Sequence, residues 1–361
     1  MMNRTAARVG AVLFAGALAL SACAAPAQTS GSPAASSAAS SSTPALVPAA
    51  EGKTTYPLTL DTQWGSTELK QRPERIAAVT PSQDDAEILA ALGVTPVLAN
   101  EYTKDVWLEE ALSQPIPNRF NSDDATFPVE QIAKAEPDLI VVLNTDLTDD
   151  FAKLSTVAPV LAINQSAGTE GTVANDWEAN IRRIGEVLDL QAAAQKVLDD
   201  EEAFFANFRT ENPDLAGLTA SYVVYYGDSG GLQFHSSVGS PAESVLERMG
   251  LAQNPNAATF KYRQEVSQEL LATIDADVII FSDNSGGKHA KLTKQPLFKK
   301  LKAVQADHLI LIDNQSKSNT FVIDGVSYDG NLPWALARSG PLSGTWAASK
   351  LAPALKATLA A

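Results

Sequence analysis

The chain has 361 residues, 45% of them hydrophobic, with 42 acidic against 27 basic side chains and a formal charge of −15. This length supplies a large core and room for about two domains. The acidic balance excludes a nucleic-acid footprint, which needs a basic face. The one cysteine, Cys23, excludes an intramolecular disulfide, so the fold must rest on its core.

Arg4 and Arg8 precede an apolar run, VGAVLFAGALAL, from Val9 to Leu20. About a dozen residues are too few to span a bilayer as a mature helix. The run reads as the apolar region of a secretory signal behind a positive amino end. The LSAC that follows, Leu20 to Cys23, resembles the lipobox of bacterial lipoproteins. That resemblance implies a signal peptide over 1–22, cleavage ahead of Cys23, and attachment of lipid such as palmitate to its sulfur. Paired acyl chains hold a protein on a membrane where one barely does. From Cys23 to about residue 52 the chain is mainly Ala, Ser, Pro and Thr. Such a segment buries too little to offset its ordering entropy. It reads as a disordered tether with a span on the order of 30 Å.

Alternation in TYPLTLDTQ predicts an opening strand near Thr54 to Thr62. RIAAVT, Arg75 to Thr80, predicts the next strand. DDAEILAALGV then predicts a helix with Asp84 or Asp85 as its N-cap and Gly93 past its end. PVLAN, Pro96 to Asn100, closes a strand–helix–strand unit of the kind that builds parallel sheets. Further along, VEQIAKAEPDLIVVL, from Val129, is echoed by SQELLATIDADVIIF, from Ser267. Glu130 falls on Glu269, Ala133 on Ala272, Asp138 on Asp277 and Ile140 on Ile279. The echo continues: Phe151, Lys153, Leu154 and Val157 match Phe298, Lys300, Leu301 and Val304. The apolar runs DLIVVL and DVIIF read as strands covered on both faces. RIAAVT and its helix are answered in outline by SYVVYY and a helix ending at Met249-Gly250-Leu251. The pattern is one α/β lobe used twice. Between the copies, Ile181, Ile184 and Leu188 share a helical face, and a second helix is predicted from about Gln191 to Thr210. At 1.5 Å per residue it is roughly 30 Å long, a strut rather than a soft hinge.

The PERIAAV strand start, the EPDLIVVL and DADVIIF units, the single interlobe helix and the lipobox together resemble the class III substrate-binding proteins of ABC importers for ferric siderophores, haem or cobalamin. The resemblance covers about Tyr56 to Leu359. It implies an α/β fold of two Rossmann-like lobes with parallel sheets, 53–188 and 213–361, joined by one long helix within 189–212, with the ligand between the lobes. It also implies that each lobe presents one surface glutamate to an arginine pocket on a permease subunit; these map onto Glu130 and Glu269. Helix capping competes with that reading, because a carboxylate in a first helical turn is favoured by the macrodipole, Pro128 suits a first helical position and Ser267 suits an N-cap.

In open α/β sheets, ligands lie beyond the carboxyl ends of the strands. That rule selects Pro81 to Gln83, Glu101-Tyr102 and Asn144-Thr145 in the first lobe. In the second it selects Tyr225 to Gly231, Ser282 to Gly287 and Gln315 to Thr320. The family resemblance implies aromatic ligand contacts at Tyr102 and Tyr226, and a third contact at Arg263 or Tyr262 in FKYRQEVSQE. Asn144, Phe234, His235, Lys261, Lys288 and Trp334 are further candidates. Aromatic faces suit a large, partly planar metal complex, and Arg and Lys suit its oxygens. Core packing competes at each aromatic; Trp107 fits core or rim, and Tyr222 and Val223 fit a strand core. The histidines, His235, His289 and His308, show no metal-ligand spacing. His308 reads as structural, His289 as part of a solvated basic loop, and His235 as a ligand candidate. With His235 or Tyr102 as an axial ligand, haem stays open.

An enzyme would need a nucleophile with a base or a paired acid and base. Ser82, Ser237 and Ser240 lie in no GxSxG elbow, and GDSGG, Gly227 to Gly231, sits in an α/β rather than an all-β context. The expected protein is therefore a binding protein and not an enzyme. It would be monomeric, without a cofactor or directly held metal, and anchored by lipid on the outer face of the cell membrane. It would take a ferric siderophore to an ABC permease; haem or cobalamin is the alternative cargo, and catalysis in the same cleft a remote one.

Overall fold

A computed structural model describes residues 45–101, 105–122, 126–164 and 176–359. Cys23, the leader and Tyr102 lie outside these residues. The stretch from residue 45 is packed, which corrects the tether's expected end near 52: Val47 is buried, and the Glu51 carboxylate accepts the Ala192 and Ala193 N–H groups. An antiparallel hairpin follows, β1 (Leu58–Thr62) and β2 (Gly65–Leu69). The first lobe then alternates β3 (Ile76–Ala78), α1 (Asp84–Ala91), β4 (Leu98–Asn100), α2 (Val106–Ala111), β5 (Asn118–Phe120), α3 (Val129–Lys134), β6 (Leu139–Leu143), α4 (Phe151–Ser155) and β7 (Val160–Ile163). The five strands are parallel, in the order β5-β4-β3-β6-β7. Strand order reverses between β3 and β6, so their carboxyl ends face a crevice. Both strands are buried along their whole length, as their continuous apolar runs require.

Asp176 caps α5 (Trp177–Val187) by accepting the Ala179 N–H at 2.9 Å. The strut α6 (Gln191–Glu211) follows, 21 residues and about 31 Å long. It buries Ala194, Leu198, Glu201, Phe205 and Phe208, a single stripe at alternating spacings of four and three.

The second lobe contains β8 (Thr219–Tyr225), β9 (Leu232–Phe234), α7 (Pro241–Arg248), β10 (Ala252–Gln253), β11 (Gln264–Glu265), β12 (Val278–Asp283), α8 (Ala290–Thr293), α9 (Lys302–Gln305), β13 (Leu309–Gln315), β14 (Thr320–Ile323), β15 (Val326–Asp329), α10 (Leu332–Arg338) and α11 (Ser343–Leu359). Its sheet is mixed, which corrects the expectation of two parallel sheets. β8, β10, β12 and β13 are parallel, while β9, β11, β14 and β15 join by antiparallel pairing. The cause is local turn chemistry. Asp324 and Gly325 both adopt positive φ, 51° and 79°, between strands paired at Ile323 and Val326. A two-residue hairpin with that geometry matches the strand twist, and Asp-Gly is among the sequences that adopt it most readily.

The sequence echo has a structural counterpart. Asp138 accepts the backbone N–H groups of Glu74 and Arg75, both at 2.8 Å, at the approach to β3. Asp277 accepts the N–H and hydroxyl of Thr219, both at 2.7 Å, at the start of β8. Each aspartate pins its own strand to the neighbour, so the repeated residue repeats a job. The helices before these strands differ. α3 has six residues, whereas its counterpart is a turn through Glu269 followed by a 3-10 segment, Leu271–Ile274. The chain turns at Asp275 because its carboxylate accepts the Lys302 and Ala303 N–H groups at the start of α9. At α1, the N-cap is Gln83 rather than either aspartate. Asp85 instead turns back to accept the Thr80 N–H at 2.9 Å.

The lobes meet at a buried charge cluster. Arg338 of α10 reaches Asp105 at 3.0 Å and Asp84 and Glu87 at 3.4 Å, and Arg338 is only 3% exposed. The other oxygen of Glu87 accepts the N–H of Leu342 and both the N–H and hydroxyl of Ser343. A methyl group on Gly340 would run into this same carboxylate. Removing one partner from a buried ion pair strands the other and typically costs about 3–5 kcal/mol. Arg338→Met is therefore expected to lose stability on that order in denaturant unfolding. Arg182→Ala, which removes only an exposed pair 3.9 Å from Glu178, should lose less than about 1 kcal/mol. Equal losses would show that the cluster does not hold the lobes.

Candidate functional site

A cavity of about 620 Å³ opens at the carboxyl end of the second sheet. Val224 and Tyr226 come from the end of β8, Asn284 from the end of β12, and Ser316, Lys317 and Asn319 from the β13–β14 turn. Asn331, Pro333, Trp334 and Ala337 of α10 and its cap form another wall. His235, Tyr262 and Arg263 complete it. A larger recess, about 740 Å³, lies against Pro73, Pro137 and Asp138, at the amino ends of the strands. The strand-end rule favours the former.

Each wall residue has a local cause. β8 and β9 form a hairpin whose turn is the GDSGG stretch, with Gly227 and Gly231 at φ 80° and 63°. Tyr226 donates its N–H to Gly231 O at 2.9 Å, closing the turn. GDSGG is therefore a hairpin turn. Past β9, side chains alternate faces. Phe234 points into the core, fully buried and stacked 4.3 Å from Phe260, which corrects its candidacy. His235, the next residue, takes the opposite face. The segment Lys261 to Gln264 is a turn closed by Gln264 N–H to Lys261 O. Arg263 occupies its left-handed position at φ 60°, where glycine would be easier. This strained turn, of a kind that recurs at functional sites, sets both Tyr262 and Arg263 on the cavity.

The structure thus brings together Tyr226, His235, Tyr262, Arg263 and Trp334. It does not bring in Lys261, whose exposed side chain leaves the turn on the solvent side, nor exposed Lys288. Asn144 sits half-buried at the end of β6 and is not among the cavity residues; its backbone is held at φ 50° by its N–H bond to Ile163 O. The sequence alone does not single out Lys317 or Asn331. Lys317 lies in a strand-end loop that the rule had selected, but Asn331 is a helix cap whose spatial position no local signal reveals. Trp107 is core, 3% exposed and 5.1 Å from the Trp346 ring. His289 is not a solvated loop residue: its Nδ1 lies 2.8 Å from buried Asp283. His308 is tied to the Asp277 carbonyl at 2.9 Å. Ser82 bonds Asp84, and Ser240 caps α7. Among the described residues no group of three His, Cys, Asp or Glu side chains is placed to hold a metal ion.

His235 is 4% exposed, and its Nε2 makes no hydrogen bond among the described residues. The rings of Tyr262, Tyr222 and Tyr226 surround it at 5.5, 5.7 and 6.1 Å. Burial lowers its pKa to about 3, and the positive field of Arg263 acts in the same direction. Burial pushes the Tyr262 hydroxyl up to about 12 and raises that of Tyr226, with Arg263 opposing both. At neutral pH the wall therefore holds a neutral imidazole and protonated phenols. The Arg263 guanidinium lies 5.9 Å from the centre of the Tyr226 ring. The arrangement offers flat aromatic surface, hydroxyl and amide groups, and fixed positive charge to a bulky polar ligand.

A sequence model of one family, described as periplasmic binding protein, matches residues 76–316. A probable siderophore-binding lipoprotein of Bacillus subtilis, YfiY, is 24% identical over 265 residues, 69% of this chain and 78% of the relative. The Fe(3+)-citrate-binding protein YfmC of the same organism is 25% identical over 243 residues, 67% and 73% of the two chains. Among solved structures, a periplasmic solute binding protein of Mycobacterium smegmatis superposes with a TM-score of 0.65 at 25% identity, covering 83% of this chain and 98% of that one. Staphylococcus aureus SirA in complex with staphyloferrin B superposes at 0.62 with 19% identity, covering 83% and 98%.

The protonation state of His235 is directly measurable. Its ring C–H resonances should stay flat from pH 8 down to about 4, while those of an unburied histidine move near 6.5. A midpoint near 6.5 for His235 would mean that the ring is hydrated.

Proposed function

Because the chain belongs to the periplasmic binding protein family, we propose that it is an extracytoplasmic receptor that binds a ferric siderophore and delivers it to an ABC importer. The observation that carries this reading is the cavity at the strand ends. It is large, lined by Tyr226, Tyr262, Trp334 and His235, and edged by the cations Arg263 and Lys317. The names of the Bacillus subtilis relatives, a siderophore-binding lipoprotein and a ferric citrate-binding protein, support the same cargo class. In this reading residues 1–22 are removed, Cys23 carries lipid, and the Ala/Ser/Pro stretch that follows spaces the receptor from the membrane.

Glu130 and Glu269 are the proposed contacts to the permease, one on each lobe. Both are exposed, and neither makes a hydrogen bond or ion pair among the described residues. Capping accounts poorly for the pair. Glu130 lies in the first turn of α3, but the segment after Glu269 is a 3-10 turn too short to present a macrodipole, so capping cannot be the shared cause.

The test of cargo is a tryptophan fluorescence titration. Trp334 is on the cavity wall, so a bound ferric complex should quench it saturably, and Trp334→Phe should remove most of the signal. Quenching by haemin or cobalamin, with none by any ferric siderophore, would overturn the reading. The test of docking is uptake by cells. Lysine at both Glu130 and Glu269 should abolish delivery of labelled ferric siderophore while leaving ligand binding by the purified protein intact, since the substitution places like charges against the permease pocket. Normal uptake would show that these carboxylates only share a way of starting a turn.

A further inference from the structure

Resting on the receptor reading above, we infer that this cleft selects ferric complexes of net negative charge, those whose iron is held by carboxylate, hydroxycarboxylate or catecholate oxygens, over neutral or cationic trihydroxamate complexes. The charge pattern of the wall runs against that of the chain. Acidic side chains outnumber basic ones 42 to 27 overall, yet among the described residues the cavity lining includes Arg263 and Lys317 and no aspartate or glutamate. Two of the carboxylates adjoining the wall in sequence are occupied elsewhere. Asp283, next to Asn284, is fully buried and accepts from Ser285 and His289. Asp228, two residues past Tyr226, is paired with Lys291 at 2.5 Å.

The neutral polar groups point the same way. Asn284 spends its carbonyl oxygen inside the protein, accepting from Ser282 at 2.8 Å and Asn314 at 3.2 Å. Asn331 spends its own on the Trp334 N–H at 3.0 Å. Each amide therefore keeps its NH₂ group, a donor, for a partner in the cavity. Tyr226 and Tyr262 hold their protons because burial raises both hydroxyls, so they too can donate. Arg263 and Lys317 are donors with no acceptor capacity. A wall rich in donors and cations matches a ligand that presents oxyanions. A complex carrying its own ammonium group would meet like charge there.

The experiment titrates the chain from Cys23 onward, expressed with serine at that position, by fluorescence quenching. Four ferric complexes serve as probes: ferric citrate, a ferric catecholate, neutral ferrichrome and cationic ferrioxamine B. At least one anionic complex should bind about tenfold or more tighter than ferrioxamine B, and its affinity should fall as salt screens the cations. Arg263→Gln and Lys317→Gln should each cost that complex about tenfold, the scale of one charge-assisted hydrogen bond, and cost ferrichrome less. Tighter binding of ferrioxamine B or ferrichrome, insensitive to salt, would overturn the charge selection and leave the receptor reading standing. Binding of none of the four, with haemin or cobalamin bound instead, would remove both.

Discussion

Arg338 sets the relation between the two lobes, and it ends the same helix that carries one wall of the cavity. It sits among Asp84, Glu87 and Asp105, all from the first lobe, with almost no access to water. A buried cluster of this kind contributes little net stability against replacement of all its members by apolar residues, because desolvation offsets its attractions. What it does is make other arrangements expensive: sliding the lobes apart would leave buried charges unmatched. Burial correspondingly raises the pKa values of Asp84 and Asp85, the latter to about 6, against the pull of Arg338 on Asp84 and the Thr80 hydrogen bonds to Asp85. Lowering the pH through that value relieves part of the excess negative charge.

The same helix carries the latch and the ligand wall. Asn331, Pro333, Trp334 and Ala337 face the cavity, and Arg338 ends the helix with its guanidinium 5.7 Å from the Trp334 ring. The cavity-facing residues of α10 thus lie beside the interlobe cluster. A strut of six turns, α6, packs along one stripe. Such a frame favours a largely pre-formed site with small adjustments on binding rather than wide hinge closure.

Much of this architecture is legible in the residues. The runs LIVVL and VIIF become buried parallel strands, and Asp138 and Asp277 recur because each anchors a neighbouring strand. The interlobe helix, expected from about Gln191 to Thr210 ahead of Pro213, runs from Gln191 to Glu211. The mixed second sheet was readable too. Asp324-Gly325 between TFVI and VSYD is a strong hairpin signal, and Asp228 to Gly231 is a turn between two strands before it is anything else. Strand alternation likewise separates Phe234 from His235. Other features depend on contacts far apart in sequence. Nothing near Asn331 signals its place on the wall, and nothing near Arg338 signals three carboxylates some 230 to 250 positions away.

The central claim is that ferric cargo sits at the carboxyl end of the second sheet, in a cleft that exists before it arrives. Anomalous diffraction at the iron edge, from crystals grown with and without a ferric carboxylate or catecholate complex, tests it most directly. The account predicts one iron peak inside the cavity bounded by Tyr226, His235, Tyr262 and Trp334, with the Arg338 cluster intact in both states. An iron peak outside that cavity, or lobes that part at Arg338 when the ligand binds, would contradict it.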